Sequence, residues 1–246
     1  MNKAISLLIL TLSTTTSFAQ DVDAAGISRA TKRYHDYRVT NSEPAYGLKK
    51  VKTLIKGIKR NPKDMDDLSI PKSVWNHLST PEKFTYCMLH GEVASQNCDG
   101  MPWIVGEEHK IFARTPGFFG DEELWSDRQN AFLQNHRGEV VRLLRTTILK
   151  QGRVGANLKV ALTTVHANEL IPDLVKLYNK DHKDQDLLTV FMLLMKDGGF
   201  KPFLASATYR KLYGPDSNYQ SFIEANPANQ KLMVERVTAF YQTRKR

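Results

Sequence analysis

Apolar residues recur at helical spacing through most of this chain, and this periodicity constrains the fold more than any other feature. Leucine-rich stretches over 156–167, 184–199 and 227–242 place apolar side chains three or four positions apart. No stretch shows the convincing alternation of a half-buried strand. The sequence therefore predicts an all-α fold, either a multi-helix globular domain or a short helical-repeat-like array.

Capping and stop signals mark the ends of two of these helices. Ser79 and Glu82 have the spacing of a capping box, and Pro81 lies in the first turn, so a helix is expected over 79–90. Gly198 and Gly199 are expected to end the helix that begins near residue 184.

The first residues resemble an export signal. Lys3 precedes an apolar run over 4–12, and the small residues Ser17 and Ala19 stand where a signal peptidase requires them. The run is too short to span a bilayer, which takes about 20 apolar residues. We expect a signal peptide over 1–19, cleavage after Ala19, and a soluble periplasmic or secreted protein without a transmembrane segment.

Positive charge is concentrated near the new N-terminus. The chain has a net charge of +9, and residues 20–64 hold eleven basic and five acidic residues, a net charge of +6. Such asymmetry indicates an anionic partner, although simple solubility is the alternative. We divide the mature chain into a basic arm with an amphipathic helix, 20–67, and a helical domain, 68–246.

The amphipathic helix is the segment "GLKKVKTLIKGIKR", residues 47–60. On a helix its aliphatic side chains fall within an arc of about 120°, which is the width of a face that packs on a core. The stripe lacks the aromatic anchors of a membrane-surface helix. We expect the stripe to pack on the helical domain. We expect the opposite face to bind an anionic envelope component or a protein partner, and we expect no specific nucleic acid. The residues of this face are Lys49, Lys50, Lys52, Lys56, Lys59 and Arg60.

Cys87 and Cys98 are the two cysteines of the chain. An even count in an exported protein favours a disulfide, which would tie the irregular segment 91–120 to the preceding helix. Two alternatives use the same residues. Cys87 and His90, three positions apart on one helix face, could begin a metal site, or Cys98 could act as a nucleophile with His90 or His109 as base. We predict the disulfide and no metal.

Glu92 opens the irregular segment 91–120, whose five glycines and two prolines exclude a regular element. A carboxylic acid at a helix end beside an aromatic-lined loop is one arrangement for general-acid attack on a glycosidic bond. The candidate catalytic residues are Glu92, His90 and His109, and the second carboxylate would come from Asp99, Glu107 or Glu108. The alternative is a solvated glutamate without a catalytic role.

Two further patterns are interpreted as structural. His136 with Glu139, and His166 with Glu169, have the spacing that places both side chains on one helix face, which predicts surface pairs or caps. The acidic segment 181–186 lacks the glycine and the terminal glutamate of a calcium loop, so we predict a helix turn. No cofactor is predicted.

A local resemblance covers residues 157–197. The segment is similar to a unit of a HEAT-type helical repeat: Pro172, Leu174 and Leu177 form the proline-leucine-leucine pattern of a first helix, and a short acidic turn and a second apolar helix follow. The Val-Arg opening usual in the second helix is replaced by Leu187-Leu188, and no second copy is found at the repeat period. The resemblance implies a helical binding scaffold and no catalysis.

Two classes of function remain from the sequence. The first is a non-enzymatic binding module that acts at the cell envelope or outside the cell, and the second is an envelope-directed hydrolase with Glu92 as general acid. A deep polar cleft beside Glu92 would favour the hydrolase, particularly if His90 and His109 surrounded the same cavity.

Overall fold

A computed structural model describes residues 26–59, 64–95, 103–117 and 122–244. The predicted signal peptide, Arg60, Cys98 and Asp99 lie outside these ranges. The described chain is mostly helical, with twelve α-helices and four short strands. None of the helices in these ranges is both long enough and apolar enough to cross a membrane.

The first helices are α1 (Arg29–Val39), α2 (Leu48–Lys56), α3 (Lys72–Asn76) and α4 (Thr80–Leu89). After the irregular segment come α5 (Asp127–Asn135), α6 (Arg137–Gln151), α7 (Ala156–Thr164), α8 (Ile171–Tyr178), α9 (Gln185–Asp197), α10 (Lys201–Leu204), α11 (Ala207–Tyr213) and α12 (Pro227–Arg244). The strands are β1 (Val93–Ala94), β2 (Lys110–Phe112), β3 (Glu123–Leu124) and β4 (Phe222–Glu224), and 3-10 turns occupy Glu107–His109 and Asn168–Leu170.

Helix α9 lies at the centre of the fold. Ten of its thirteen residues are buried, and it contacts α7, α8, α12 and β2. A helix that is apolar on all sides must be surrounded by other elements, and the run from Leu187 to Met195 meets that requirement. The rest of the core is assembled around this helix.

The predicted start of α4 is confirmed. Ser79 and Glu82 form a reciprocal capping box, and Pro81 lies in the first turn. The Glu82 carboxylate accepts a hydrogen bond from the Ser79 backbone at 2.9 Å. This cap fixes the direction of α4 before its buried residues, Phe84 to Met88, enter the core.

The predicted packing of the amphipathic stripe is also confirmed. Val51 is fully buried, and Leu54, Ile55 and Ile58 are half-buried against the core. Helix α2 lies on α4. The helix is shorter than the segment 47–60: it ends at Lys56, with Gly57 as its C-cap residue.

Two antiparallel strand pairs were not expected from the sequence. Val93 of β1 faces Leu124 of β3, and Ile111 of β2 faces Ile223 of β4. These strands have only two or three residues, which is too short for a period-two pattern to be visible. They fix the ends of the segment 91–120, which otherwise contains turns in its described parts.

The predicted disulfide is not seen in the part of the chain that the structure describes, and the pairing stays a prediction. Cys87 has a free thiol that is fully buried on the core face of α4, and Cys98 lies outside the described residues. Burial raises the pKa of the Cys87 thiol well above its usual range, and nearby Glu92 raises it further. A protonated thiol without solvent access is neither a nucleophile nor a metal ligand. Cys87 is a core residue.

The arm before α2 is more ordered than expected. Residues 29–39 form an 11-residue helix, α1, which begins at Ser28 with a side-chain cap to Thr31 at 3.0 Å. It contacts the 3-10 turn Glu107–His109. Its apolar periodicity is weak because polar residues make most of its contacts, as described below.

The segment that resembles a HEAT-type unit contains two packed helices. Pro172, Leu174 and Leu177 lie on α8, and α9 supplies the second helix. The two helices contact each other, as the pattern requires. Whether the chain is related to such repeats stays a prediction.

Candidate functional site

The backbone around Glu92 is held by one fully buried side chain. Gln129 of α5 donates from its amide to the His90 carbonyl at 2.8 Å and accepts from the Glu92 backbone N–H at 3.0 Å. Gly91 lies between them, against β3; a Cβ there would come within 2.7 Å of the Leu124 carbonyl oxygen. The close approach of these segments requires glycine and turns the Glu92 side chain toward α5.

The Glu92 carboxylate is fully engaged. Arg128 donates from Nε to Oε2 at 2.7 Å and from NH2 to Oε1 at 2.5 Å, and Ser126 donates from Oγ to Oε2 at 2.6 Å. The side chain is 1% exposed. Arg128 also donates to the Ile70 carbonyl at 2.6 Å. Since both carboxylate oxygens accept hydrogen bonds from protein donors, Glu92 joins the start of α5 to the segment before α3.

An open cleft of about 560 Å³ lies over this ion pair, and we call it the acidic cleft. Its lining includes Glu92, Arg128 and Trp125. The remaining lining residues are Asp64, Asp66, Asp67, Ser69, Val93, Ser126 and Asp127. The volume falls in the range of ligand pockets in proteins. Most of the residues that line it are polar or charged, as the hydrolase hypothesis requires.

Neither predicted histidine is among the residues that line the acidic cleft. His90 is buried, and its ring contacts the Leu68 carbonyl through Nε2 at 2.8 Å and the Glu123 carboxylate through Nδ1 at 3.0 Å. Both partners can only accept, so both ring nitrogens carry hydrogen. Burial lowers the pKa of His90, but the hydrogen bonds to Glu123 and Leu68 outweigh burial and raise that pKa above its ordinary value. This imidazolium is a structural ion.

His109 lies in a different part of the surface. Its side chain is 76% exposed in the 3-10 turn, 3.8 Å from Glu108. Glu108 accepts a hydrogen bond from Thr31 of α1 at 2.9 Å, and Glu107 is buried against the same helix. Of the proposed partner carboxylates, these two are therefore used by α1, and Asp99 lies outside the described residues.

A buried ionic cluster, which the sequence did not reveal, joins α1 to the core. Arg38 donates from Nε to Asp186 at 2.9 Å and from NH1 to Glu107 at 3.2 Å. Lys159 of α7 donates to Asp184 at 2.7 Å and to Asp186 at 3.3 Å. All five side chains are nearly inaccessible to solvent.

Aromatic side chains and a histidine complete this cluster. The Tyr37 hydroxyl donates to Asp184 at 3.3 Å, and His35 contacts Glu107 at 3.0 Å. Burial raises the pKa of Asp184, and the Lys159 ammonium opposes that rise. Buried charges persist when they are paired and hydrogen-bonded, and each member of this cluster has such a partner. The cluster attaches a helix and presents no free group to a substrate.

The basic face of α2 is exposed, as predicted. Five exposed lysines, the first four on α2 and the last one just after its end, make up what we call the lysine face: Lys49, Lys50, Lys52, Lys56 and Lys59. Lys50 pairs with Glu82 at 2.9 Å and Lys52 with Glu43 at 2.7 Å. The described residues provide no ion pair for the other three lysines. Their charge remains available to a ligand.

The remaining motifs have structural contacts. The two expected His–Glu pairs are not formed: Glu139 pairs with Arg142 at 3.2 Å, and Glu169 pairs with Arg137 at 2.7 Å. His166 lies 3.9 Å from Asp197, and His136 is a cap residue between α5 and α6, as the alternative of a cap predicts. Asp184, in the acidic segment, precedes α9 and belongs to the ionic cluster. Within the described residues, no three His, Cys, Asp or Glu side chains are placed to hold a metal ion.

Comparison of this chain with known protein families, with curated proteins and with solved structures finds no match.

Proposed function

We propose that the protein is an exported, non-enzymatic binding module that holds a polyanionic component of the cell envelope through the lysine face of α2. The observation that carries this proposal is the division of α2 into two faces. Val51 and its aliphatic neighbours are committed to the core, whereas the lysines of the other face are exposed in a fixed array. A folded row of cations attracts anionic surfaces without a dedicated pocket.

The alternative is a hydrolase with Glu92 as general acid, and the acidic cleft is the observation in its favour. Its chemistry requires a carboxylic acid that can give a proton to a leaving group. Both Glu92 oxygens instead accept hydrogen bonds from Arg128 and Ser126. The second role would need another carboxylate at a suitable distance, and Glu107 and Glu108 are held by α1. The binding module is the better supported function.

The experiment compares two variants with the same change in net charge. The first changes Lys49, Lys52, Lys56 and Lys59 to Gln; the second changes four exposed lysines elsewhere, Lys150, Lys176, Lys180 and Lys201, to Gln. Binding is measured on anionic vesicles and on heparin at several salt concentrations. Each lysine near an anionic surface contributes about 1 kcal/mol, so the first variant should bind at least about a hundredfold more weakly.

The control variant should keep most of the affinity, and both should melt like the wild type because the side chains are exposed. Equal losses in the two variants would mean that only total charge matters, and would contradict the assignment to α2. Turnover of an oligosaccharide or cell-wall substrate by the wild type would instead favour the hydrolase. Export is tested separately, by the first residue of the mature protein: cleavage after Ala19 leaves Gln20 there.

A further inference from the structure

We infer that the acidic cleft is a docking site for a cationic polypeptide segment of a partner protein, one that carries Lys or Arg beside an apolar side chain. This inference concerns a second surface, opposite in charge to the lysine face, and it goes beyond the proposed function.

The first observation is a concentration of exposed carboxylates in a protein of net charge +9. Asp64, Asp66, Asp67 and Asp127 are exposed around one cleft. Among the described residues, no Lys, Arg or His forms an ion pair with any of the four. Hydrogen bonds from Ser69 and, to a smaller degree, the charge of Arg128 lower the pKa of Asp67. The hydrogen bonds that Arg128 donates to a carboxylate all go to Glu92. Neighbouring carboxylates repel one another, and a bound cation relieves that repulsion.

The second observation concerns the form of the cation. The described acidic residues are not arranged as ligands of one metal ion. Their carboxylates instead belong to two parts of the lining that are distant in sequence, residues 64–67 and Asp127. The positive charge of a ligand that neutralises these carboxylates must be spread over a similar length, as it is on a basic polypeptide. A single divalent ion does not have this distribution.

The third observation is exposed apolar surface next to the carboxylates. Val93 and Leu124 form a cross-strand pair and are 37% and 48% exposed. Met65, between two of the carboxylates in sequence, is 53% exposed. The bridge between Asp67 and Val93 joins the acidic segment directly to this strand pair. Apolar side chains rimmed by charge are typical of protein contact surfaces, whereas a polyamine or an isolated cation would not use them.

The rigidity of the cleft supports a pre-formed site. Trp125 donates from Nε1 to the Cys87 carbonyl at 2.7 Å, which fixes its ring on the lining. The Glu92–Arg128 pair joins α5 to the segment before α3 beneath the cleft. A site whose walls are already fixed loses little conformational entropy when a segment binds.

The experiment uses a fluorescent peptide with Lys at every second position and Leu between, and measures anisotropy with the full mature chain. Two comparison peptides replace every Lys by Glu or every Leu by Ser. The cleft variant carries Asp66→Asn and Asp127→Asn, and its matched control carries Asp36→Asn and Asp216→Asn, two exposed carboxylates elsewhere. Leu124→Ser is compared in the same way with Leu149→Ser, which changes an exposed leucine on α6.

We expect the Lys–Leu peptide to bind, the Glu peptide not to bind, and the cleft variant to lose about tenfold or more in affinity while its control does not. Leu124→Ser should also weaken binding, and Leu149→Ser should leave it unchanged. Equal binding by the cleft variant and its control would overturn the inference. If spermine competed with the peptide and Leu124→Ser had no effect on binding, the cleft would be a small-cation site and the inference would also be overturned. Salt-sensitive self-association lost only in the cleft variant, without peptide binding, would identify a second copy of this chain as the occupant and likewise overturn it.

Discussion

Replacing Glu92 by Gln separates a catalytic carboxylate from a structural one. A catalytic residue can be exchanged at little cost in stability, since a free carboxylate makes few contacts. In this structure the change removes the charged partner of Arg128 and turns one accepting oxygen into an amide donor that faces the guanidinium. We therefore expect Glu92→Gln to destabilise the folded protein.

The magnitude follows from the burial of the pair. Breaking a fully buried ion pair costs about 3–5 kcal/mol. Arg128 is 27% exposed and keeps its bond to the Ile70 carbonyl, so water can solvate part of the abandoned charge. We expect a loss of about 3 kcal/mol, which lowers the melting temperature of a domain of this size by roughly 6–12 °C.

The assay is urea and thermal denaturation followed by circular dichroism. The matched control is Glu169→Gln, because Glu169 makes the same two-pronged contact with Arg137 but on the surface; that change should cost less than about 1 kcal/mol. In a double-mutant cycle with Arg128→Met, the double variant should be more stable than the two single losses predict. A Glu92→Gln protein that melts like the wild type would refute the structural role and return Glu92 to the candidate catalytic residues.

Two further predictions concern titratable groups. The pKa of His90 is raised in the folded state. Its contribution to stability is therefore fully present below its unfolded pKa of about 6.5 and is lost as the pH rises through the folded value. The free energy of unfolding should fall above about pH 6.5, by no more than about 1.4 kcal/mol per pH unit. Urea titrations at several pH values should show this slope flattened in His90→Gln and unchanged in His109→Gln, and an equal slope in His90→Gln would contradict the assignment. In a Cys98→Ser protein, the buried thiol of Cys87 should resist alkylation until urea unfolds the chain, because burial raises its pKa. Rapid alkylation of the native protein would show that Cys87 is accessible, and a wild type without any free thiol would restore the disulfide.

Structural features that depend on residues close together in the sequence were predictable. The capping box of α4 depends on Ser79 and Glu82, three positions apart, and the buried stripe of α2 follows from the spacing of Val51, Leu54 and Ile55. Helix α9 was visible as one long apolar run. In each case the interactions that define the element lie within one or two helical turns, so local sequence contains them.

The buried ionic cluster was not predictable in this way. Arg38 and Asp186 are 148 positions apart, and Arg38 and Glu107 are 69 apart. Arg38 belongs to a basic arm in which every Lys and Arg looks alike, and nothing local marks it as buried. Polar contacts of this range follow from the tertiary arrangement.

The acidic cleft illustrates an intermediate case. Glu92 was identified as a position of interest because it follows a helix end, and the cleft does lie there. Its contacts were not predictable, since its partner Arg128 lies in the first turn of a helix 36 positions later. One signal for that pairing can be recognised once the structure is known. Ser126 and Gln129 form a capping box that places Arg128 in the first turn of α5.

The distance in sequence between Arg38 and its partners also dictates an order of assembly. Helix α1 is among the first elements to be synthesised, yet Lys159, Asp184 and Asp186, which complete its ionic cluster, follow more than 100 residues later. The helix is short, and isolated helices of this length are marginal in water. It must therefore wait, undocked, until α7 and α9 have formed. In a chain that ends before residue 184, the N-terminal helix is not docked. A factor that protects nascent protein from proteases must therefore bind α1 early and stay bound until the later helices have formed.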